Sequence, residues 1–531
     1  MTTGLSASRK TPGIYLAVIL GGAGTSSGVA PKRILLQGNF IASAIPGASP
    51  ALSVAAGTMA AATPTFCASA DDAGTYAGRG SELHNMAEAV FAQYPDATVY
   101  IEGVADAGGT AATLVNTFAS NASAAFTVRI YACGHVIDVA VASGDTPTVI
   151  AAAVADAIND LDVLPFTAQN SALGALTLTA KHTGPRGNTL ICAFSFISAS
   201  GLETVITSSS TSSGAGTTGI LSGGSAVSGE YCFSGGATQD SWANAITAIS
   251  STKFDRIIAA CIDSTNIDLL TAHLDSLALV TSQKRQQGIV GSVAALATAT
   301  TLATGRNKSR LQIVWHYNSR IPPWTFAAQV GAARLIGDSA AGGRLVGEAT
   351  DPAANLDGLE LVSVTAQNTI ADQPTATEIE SALNNGLTPL VPSTNRPGFV
   401  TVARSITSRS LSGGVPNYAV LDTSNVTICD HVADDLNSLL ATTYAGFKLT
   451  SDSSDGTPPR APNVTSPSLI RAVIAQRLAE HEENAILKDT AANLPLLTVT
   501  ASATPGRVDC QIPCEPIPGL HVLGGDVRQL S

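Results

Sequence analysis

The sequence predicts a multidomain protein of the α/β (α+β) class. Three features carry that expectation. The chain has 531 residues, more than three typical domains of ~150 residues. Short apolar runs alternate with stretches of helical periodicity on both sides of its first third. Between residues 108 and 196 a two-residue alternation takes over, marking a β-rich module set into the α/β layers.

Composition narrows the class. Charged residues make up 13% of the chain, about half the usual ~25%, and aromatics only 5%. The balance of 40 acidic against 28 basic residues leaves a net charge of -12. That sign argues against a nucleic-acid backbone or an anionic membrane surface as the main partner. No apolar run approaches the ~18 residues needed to span a bilayer. Ile14 to Leu20 follows Arg9 and Lys10 as a secretory signal would, but it is short and no A-x-A site follows, so it is expected to stay in the mature chain. The eight cysteines are scattered and read as reduced thiols. Cys510 and Cys514 are close, without zinc-site spacing or a second pair.

Taken in order, Ile14 to Leu20 and Arg33 to Gln37 read as strands separated by a glycine-rich loop. Gly80 to Tyr94 reads as a helix capped by Ser81, with Leu83, Met86, Ala87, Val90 and Phe91 on one face, and Thr98 to Ile101 returns as a strand. Phe126, Val128 and Ile130 alternate with polar residues, turn at Cys133-Gly134 and come back over Val136 to Val141 as a hairpin. Thr146 and Pro147 start a helix to Asn159. The runs 173–180 and 189–196 read as strands joined by the loop 182–188. A Ser/Thr/Gly tract, 198–228, reads as loop with at most one strand.

Beyond it, helix 241–250, strand 254–260, helix 267–280, strand 289–290, helix 293–304 and strand 311–315 make a βαβ layer. Pro322 and Pro323 open an alanine-rich helix to Ile336, and 337–372 reads as irregular. A helix ends at Gly386, and 398–405 reads as a strand. Cys429 to Ala445 and a helix opened by Ser466-Pro467 are amphipathic, the second burying Leu469, Ile470, Val473, Ile474 and Leu478. Gly519 to Leu523 reads as a terminal strand.

Chemistry is thinly represented. The eight histidines include no HExxH and no i, i+4 pair. Nothing in the spacing of serines, cysteines and histidines nominates a nucleophile with its base. Gly22, Gly24 and Gly28 precede a strand where a dinucleotide loop must open a helix, and Lys308-Ser309 lacks the spaced glycine of a phosphate loop. Asp434, Asp435, Asp452 and Asp455 lack calcium-loop spacing and read as solvated charge. No enzyme, cofactor or metal is expected. On the helix from Pro467, Arg471 falls on a face with Ala472, Ala475, Ala479 and Glu482 and reads as an exposed cation, whereas Arg477 falls in the apolar sector and reads as paired or snorkelling.

A series of short strings, in order, resembles the contractile tail sheath proteins of Mu-like bacteriophages. They are Thr11 to Tyr15, Gly78 to Ser81 leading to Met86, Ala105 to Thr113, Ala180 to Asn188, Pro322 to Trp324, Val402 to Ile406, Tyr418 to Leu421, Leu469 to Ala472 and Arg507 to Asp509. The sequence departs from the family at Ser208 to Ser213 and in its low charge.

The resemblance implies a non-enzymatic structural subunit that polymerises as stacked hexameric rings around a tail tube. Contraction would drive the tube through a host envelope. Implied partners are other copies of the chain, the tail tube protein, and baseplate and tail terminator proteins, without nucleic acid or membrane insertion. The implied location is the virion tail, assembled in the host cytoplasm. On this reading 1–22 is an N-terminal arm, 23–107 and 235–395 form the core, 108–196 is the inserted outer module and 197–234 a linker. Residues 396–514 form the tube-facing domain, and 515–531 a C-terminal arm. Family arms add strands to a neighbour's sheet. The arm candidates are Ile14, Tyr15, Leu16 and Val18 at one end and Leu520 and Val522 at the other, and the tube-contact candidates are Arg471 and Ala475. The alternative is a secreted or surface-layer structural protein, suggested by the Ser/Thr/Gly richness.

Overall fold

The computed structural model describes residues 32–45, 53–118, 121–170, 174–198, 210–213, 229–336, 348, 351–367, 370–453, 459 and 461–524. The arm candidates Ile14, Tyr15, Leu16 and Val18, and Asp455, lie outside them.

The first section supplies β1 (Arg33–Asn39), β2 (Thr65–Cys67), α1 (Ala70–Ala77), α2 (Glu82–Gln93) and β3 (Thr98–Val104). Ser81 caps α2 as its sequence implies, its hydroxyl accepting from His84 N. The middle section is β4 (Ala111–Phe118), β5 (Phe126–Ala132), β6 (His135–Val141), α3 (Pro147–Asn159), β7 (Phe166–Asn170), β8 (Ala175–Thr183), β9 (Ile191–Ser198), β10 (Ser210–Ser213) and β11 (Gly229–Cys232). The expected hairpin is β5–β6, and Thr146 caps α3 ahead of Pro147. These strands form two antiparallel four-stranded sheets, β10-β4-β8-β7 and β11-β9-β5-β6, and α3 packs on both. Alternate residues of β4 and β5 point into a core holding Phe118, Phe126, Phe166, Phe194 and Phe196.

The chain then returns through α4 (Ala243–Ala248), β12 (Arg256–Ala259), α5 (Ser264–Leu277), β13 (Gln287–Ser292), α6 (Leu296–Arg306), β14 (Leu311–Trp315), α7 (Pro323–Ala333), β15 (Leu359–Thr365), α8 (Ala376–Asn384), β16 (Thr388–Pro392) and β17 (Phe399–Val402). With β1, β2 and β3 they build a nine-stranded sheet ordered β15-β17-β16-β14-β13-β12-β1-β3-β2. The six strands from β16 to β3 are parallel, β2 and β17 run against them, and β15, antiparallel to β17, runs with them again. Every residue of β12, β13 and β14 is buried, as a parallel sheet covered on both faces requires. Gly288 and Gly291, of opposite parity on β13, show the two covers. A methyl at Gly288 would strike Leu270 and Leu274 of α5, and one at Gly291 would strike the backbone of Pro323 at the start of α7.

Several strands escape the sequence reading, β2, β4, β7 and the strands Thr498–Ala501 and Val508–Gln511 among them, and two in the large sheet show why. β15 lies in the stretch expected to be irregular; its burial does not alternate and its pairing with β17 shifts register between Glu360 and Thr365. β16 contains Pro389 and Pro392, which argue against a strand in any sequence-based reading.

The last section has the small hairpin β18 (Leu411–Ser412) and β19 (Val415–Pro416), then α9 (Thr423–Thr443), the pair β20 (Lys448–Leu449) and β21 (Val464–Thr465), α10 (Pro467–Glu483), α11 (Thr490–Asn493) and the hairpin β22 (Thr498–Ala501) and β23 (Val508–Gln511). Ile428, Val432, Leu436 and Leu440 of α9 meet Ile474 and Leu478 of α10 in a second apolar core, separate from the one shared by the large sheet and the middle section. Among the described residues no helix is long and apolar enough to cross a membrane. The fold is mixed α/β with several sheets.

Candidate functional site

In a sheet of this kind the strand order reverses where the chain, having placed β3 on one side of β1, places β12 on the other. Ligands of open α/β sheets bind in the crevice outside the carboxyl ends of the strands at such a point. Here that crevice is filled from within. The short 3-10 turn Pro185–Thr189, which the sequence reading left in a loop, carries Arg186 into it. Arg186 is 2% exposed. Its Nε donates to Glu82 Oε1 (3.0 Å) at the start of α2, and its Nη2 donates to Asp240 and to Asn39 at the end of β1. The guanidinium also lies 5.6 Å over the Trp242 ring.

The carboxylates are held in turn. Glu82 Oε2 accepts from Asn39 N (2.8 Å), and Asp240 Oδ1 accepts from Ala107 N (2.6 Å). His182 Nδ1 donates to Asp106 Oδ1 (3.1 Å) beside them. Burial alone would raise the pKa of Asp106, but His182 and Asn39 outweigh it and hold the carboxyl below its usual range. Chemically this cluster is a paired, desolvated plug that ties the middle section to the sheet.

The amino ends of the same strands are closed by α9. Arg334 and Arg256 flank the fully buried Glu348, with Arg334 Nη2 donating to Glu348 Oε2 at 2.8 Å. Thr427 Oγ1 donates to Glu348 Oε2 (2.9 Å) and Thr423 Oγ1 to Glu348 Oε1 (3.1 Å). Further along the helix Asp430 takes a bidentate pair from Arg310 (2.7 Å each), and Asp434 meets Lys253 (2.6 Å) and Arg285. Asp434 and Asp435 are therefore not solvated charge, as their sequence suggested. They sit on a helix and face opposite partners, the sheet for Asp434 and Arg477 of α10 for Asp435 (2.7 and 2.8 Å). That last contact is the pairing expected of Arg477. The helix begins at Thr423 rather than Cys429 because its first turns are polar residues that the Glu348 cluster satisfies.

The surface candidates land on different elements. Arg471 is not the free cation expected; it is half-buried, with Nε donating to Leu497 O (3.0 Å) and Nη2 to Leu494 O (2.9 Å). It thereby holds the turn that leads into β22. Ala475 is half-buried against the second core, and Ala472 and Ala479 are exposed. Leu520 and Val522 are 74% and 83% exposed, and Leu523 is exposed with them. No strand forms over 519–523, in contrast to the sequence expectation, because an isolated apolar run has no ladder to join within the described chain.

No protein-family model matches the chain, and no curated protein sequence matches it. Solved structures do. A sheath tail protein from Desulfitobacterium hafniense is 13% identical, with 94% of this chain and 93% of that one covered and a TM-score of 0.42. A sheath tail protein from Listeria innocua is 12% identical, covering 93% and 94%, with a TM-score of 0.46. The sheath of an extracellular contractile injection system in its contracted state is 11% identical over 52% of this chain and 71% of that one, with a TM-score of 0.34.

Glu348, in a stretch read as irregular, escaped the sequence, and so did two further residues. Arg186 stands in a Gly-Pro-Arg-Gly turn that resembles any polar loop, and only its distant acids Glu82 and Asp240 give it a role. His521, discussed below, stands among apolar residues and has its partners at Asp357 and Asp422.

Proposed function

We propose that this chain is the subunit of a contractile tail sheath, polymerising as stacked hexameric rings around a tail tube. Contraction of the sheath, triggered through a baseplate, drives the tube through the host envelope. The supporting observation is an apolar terminal segment left unburied on a body whose own ligand crevice is plugged. Leu520, Val522 and Leu523 are all more than 70% exposed, while Arg186 occupies the place where an α/β enzyme would take a ligand. Exposed apolar side chains on a segment outside every helix and strand call for a surface on another molecule.

An acceptor of matching chemistry exists on the same chain. β22 and β23 form a two-stranded sheet with no third strand among the described residues, which leaves edges open for strand addition by a neighbour's arm. On this reading Ile14, Tyr15, Leu16 and Val18 serve the same purpose at the other terminus. The tube is met by α10, whose outward face carries the exposed Ala472 and Ala479, with Ala475 half-buried beside them, small residues that allow close approach. Arg471 supports that surface by holding the turn before β22.

Negative-stain electron microscopy of the purified chain over a concentration series tests the reading. Striated hollow cylinders are the expected result. Persistent monomers that join no tail tube when co-expressed with the tube protein would overturn it and bring forward a secreted or surface-layer role.

A further inference from the structure

Over residues 514–524 the chain joins no helix or sheet beyond an isolated bridge between Pro516 and Leu487, and its attachments thin out along its length. Glu515 is fixed by Lys488 (2.6 Å) and by Asn493 Nδ2 (2.8 Å), and Ile517 N donates to Ile486 O (3.2 Å). Over residues 518–524 the apolar side chains Leu520, Val522 and Leu523 are exposed. Among the described residues of this stretch, what holds it is a hydrogen bond from Asn355 Nδ2 to Leu520 O (3.2 Å) and the seated side chain of His521.

His521 enters a notch lined by Ala354 to Asp357, Ser405, Asp422 and Ser424. Its Nδ1 donates to Asp357 Oδ2 (2.6 Å), and its Nε2 lies 3.5 Å from Asp422 Oδ2. Both ring nitrogens thus face carboxylate oxygens, an arrangement in which only the imidazolium has a proton for each. The charged groups around the ring come from three elements: Asp357 from the loop before β15, Asp422 from the N-cap of α9, and Arg404 from the segment after β17. Arg404 is bidentate to Asp422 (2.7 and 2.9 Å). Two carboxylates and one guanidinium leave one negative charge over, which the imidazolium balances and neutral imidazole does not. The Asp422 and Asp357 carboxylates hold the histidine's pKa above its ordinary value, against the pull of burial.

We propose that His521 is a protonation-controlled clasp that holds the C-terminal segment in the notch between the 354–357 loop and the start of α9. Loss of its proton frees residues 518–524, and with them Leu520, Val522 and Leu523, to engage another surface. The attachment is complete below the ordinary histidine pKa of ~6.5, where free and docked forms both carry the proton, and is lost as pH rises through the raised value. The clasp is a property of the single chain and stands whether or not the chain builds a sheath.

The test is chymotryptic cleavage after Leu520 and Leu523 in the full chain, kept dilute enough to be monomeric by light scattering. The released fragment is quantified by mass spectrometry. A synthetic peptide of residues 513–531 measured alongside removes the pH dependence of the protease. Protection, the ratio of peptide to protein cleavage rates, is expected to fall several-fold between pH 6 and pH 9 as the histidine gives up its proton. Asp357→Asn is expected to move the midpoint to lower pH, and His521→Gln to abolish protection at both ends. Equal protection of the wild-type chain at pH 6 and pH 9, or His521→Gln protected like wild type at pH 6, would overturn the clasp. The wild-type titration needs no variant, so misfolding of either substitution does not obscure the result.

Discussion

Arg186 Nε and Glu82 Oε1 meet at 3.0 Å over the carboxyl ends of the parallel strands, both side chains at most 3% exposed. A charge buried to that degree persists only where its partners compensate the lost hydration, and Glu82, Asp240 and Asn39 supply that compensation. The pair converts a potential ligand crevice into a joint between the middle section and the sheet.

Removing one member of that joint leaves the others uncompensated. Arg186→Met is expected to lower stability by about 3–5 kcal/mol, the cost of stranding a buried charge. Urea unfolding followed by both fluorescence and far-ultraviolet dichroism reads the loss. A change below 1 kcal/mol would mean that the crevice tolerates the stranded carboxylates through solvent.

Gly80 has φ +74°, and a methyl there would strike Lys181 Nζ and the carbonyl oxygens of Leu164 and Asp162. Lys181 is itself buried, its Nζ donating to Arg79 O (3.0 Å) and Asp162 O (2.8 Å), and burial pulls its pKa down to about 8. Gly80→Ala is expected to cost more than the ~1 kcal/mol typical of a left-handed glycine, because displaced backbone adds to conformational strain. Thermal unfolding of the variant measures it, and Gly108→Ala serves as control, since its φ is also positive but its Cβ would meet nothing.

His316 is buried and neutral. Its Nε2 donates to Thr365 O (3.1 Å) and its Nδ1 accepts from Gln367 Nε2 (3.1 Å), while burial lowers its pKa to about 4. The unfolded chain binds a proton there below ~6.5, so this contribution to stability is complete above that pH and declines as pH falls toward 4. His316→Gln is expected to flatten the stability profile between pH 6.5 and 4, measured by urea midpoints at each pH. An unchanged slope would assign the acid limb to other buried histidines.

Leu520→Asp combined with Val522→Asp changes only exposed side chains, and its effect on stability is expected to stay within about 0.5 kcal/mol. The same pair of changes is expected to abolish cylinder formation in the electron microscope. Normal cylinders from the double variant would remove the C-terminal segment from the assembly contacts.

Legibility followed the range of the interactions. The Ser81 and Thr146 caps, the β5–β6 hairpin and the apolar face of α10 are set by residues within a few positions of each other, and periodicity finds them. Arg471 was misplaced because a helical wheel shows which way a side chain leaves the helix and not what stands in its path. Here the carbonyls of Leu494 and Leu497 stand there. β15 and β16 were missed because edge position, bulge and proline erase alternation.

By itself the sequence determined the α/β class, the β-rich middle section and the capped helices, since each follows from local periodicity and composition. The tertiary structure alone decided what happens at the two ends of the parallel sheet. Arg186 finds Glu82 across 104 positions of chain, and Glu348 finds Thr427 across 79. Buried charges select partners by geometry and desolvation, and no spacing along the chain encodes that choice.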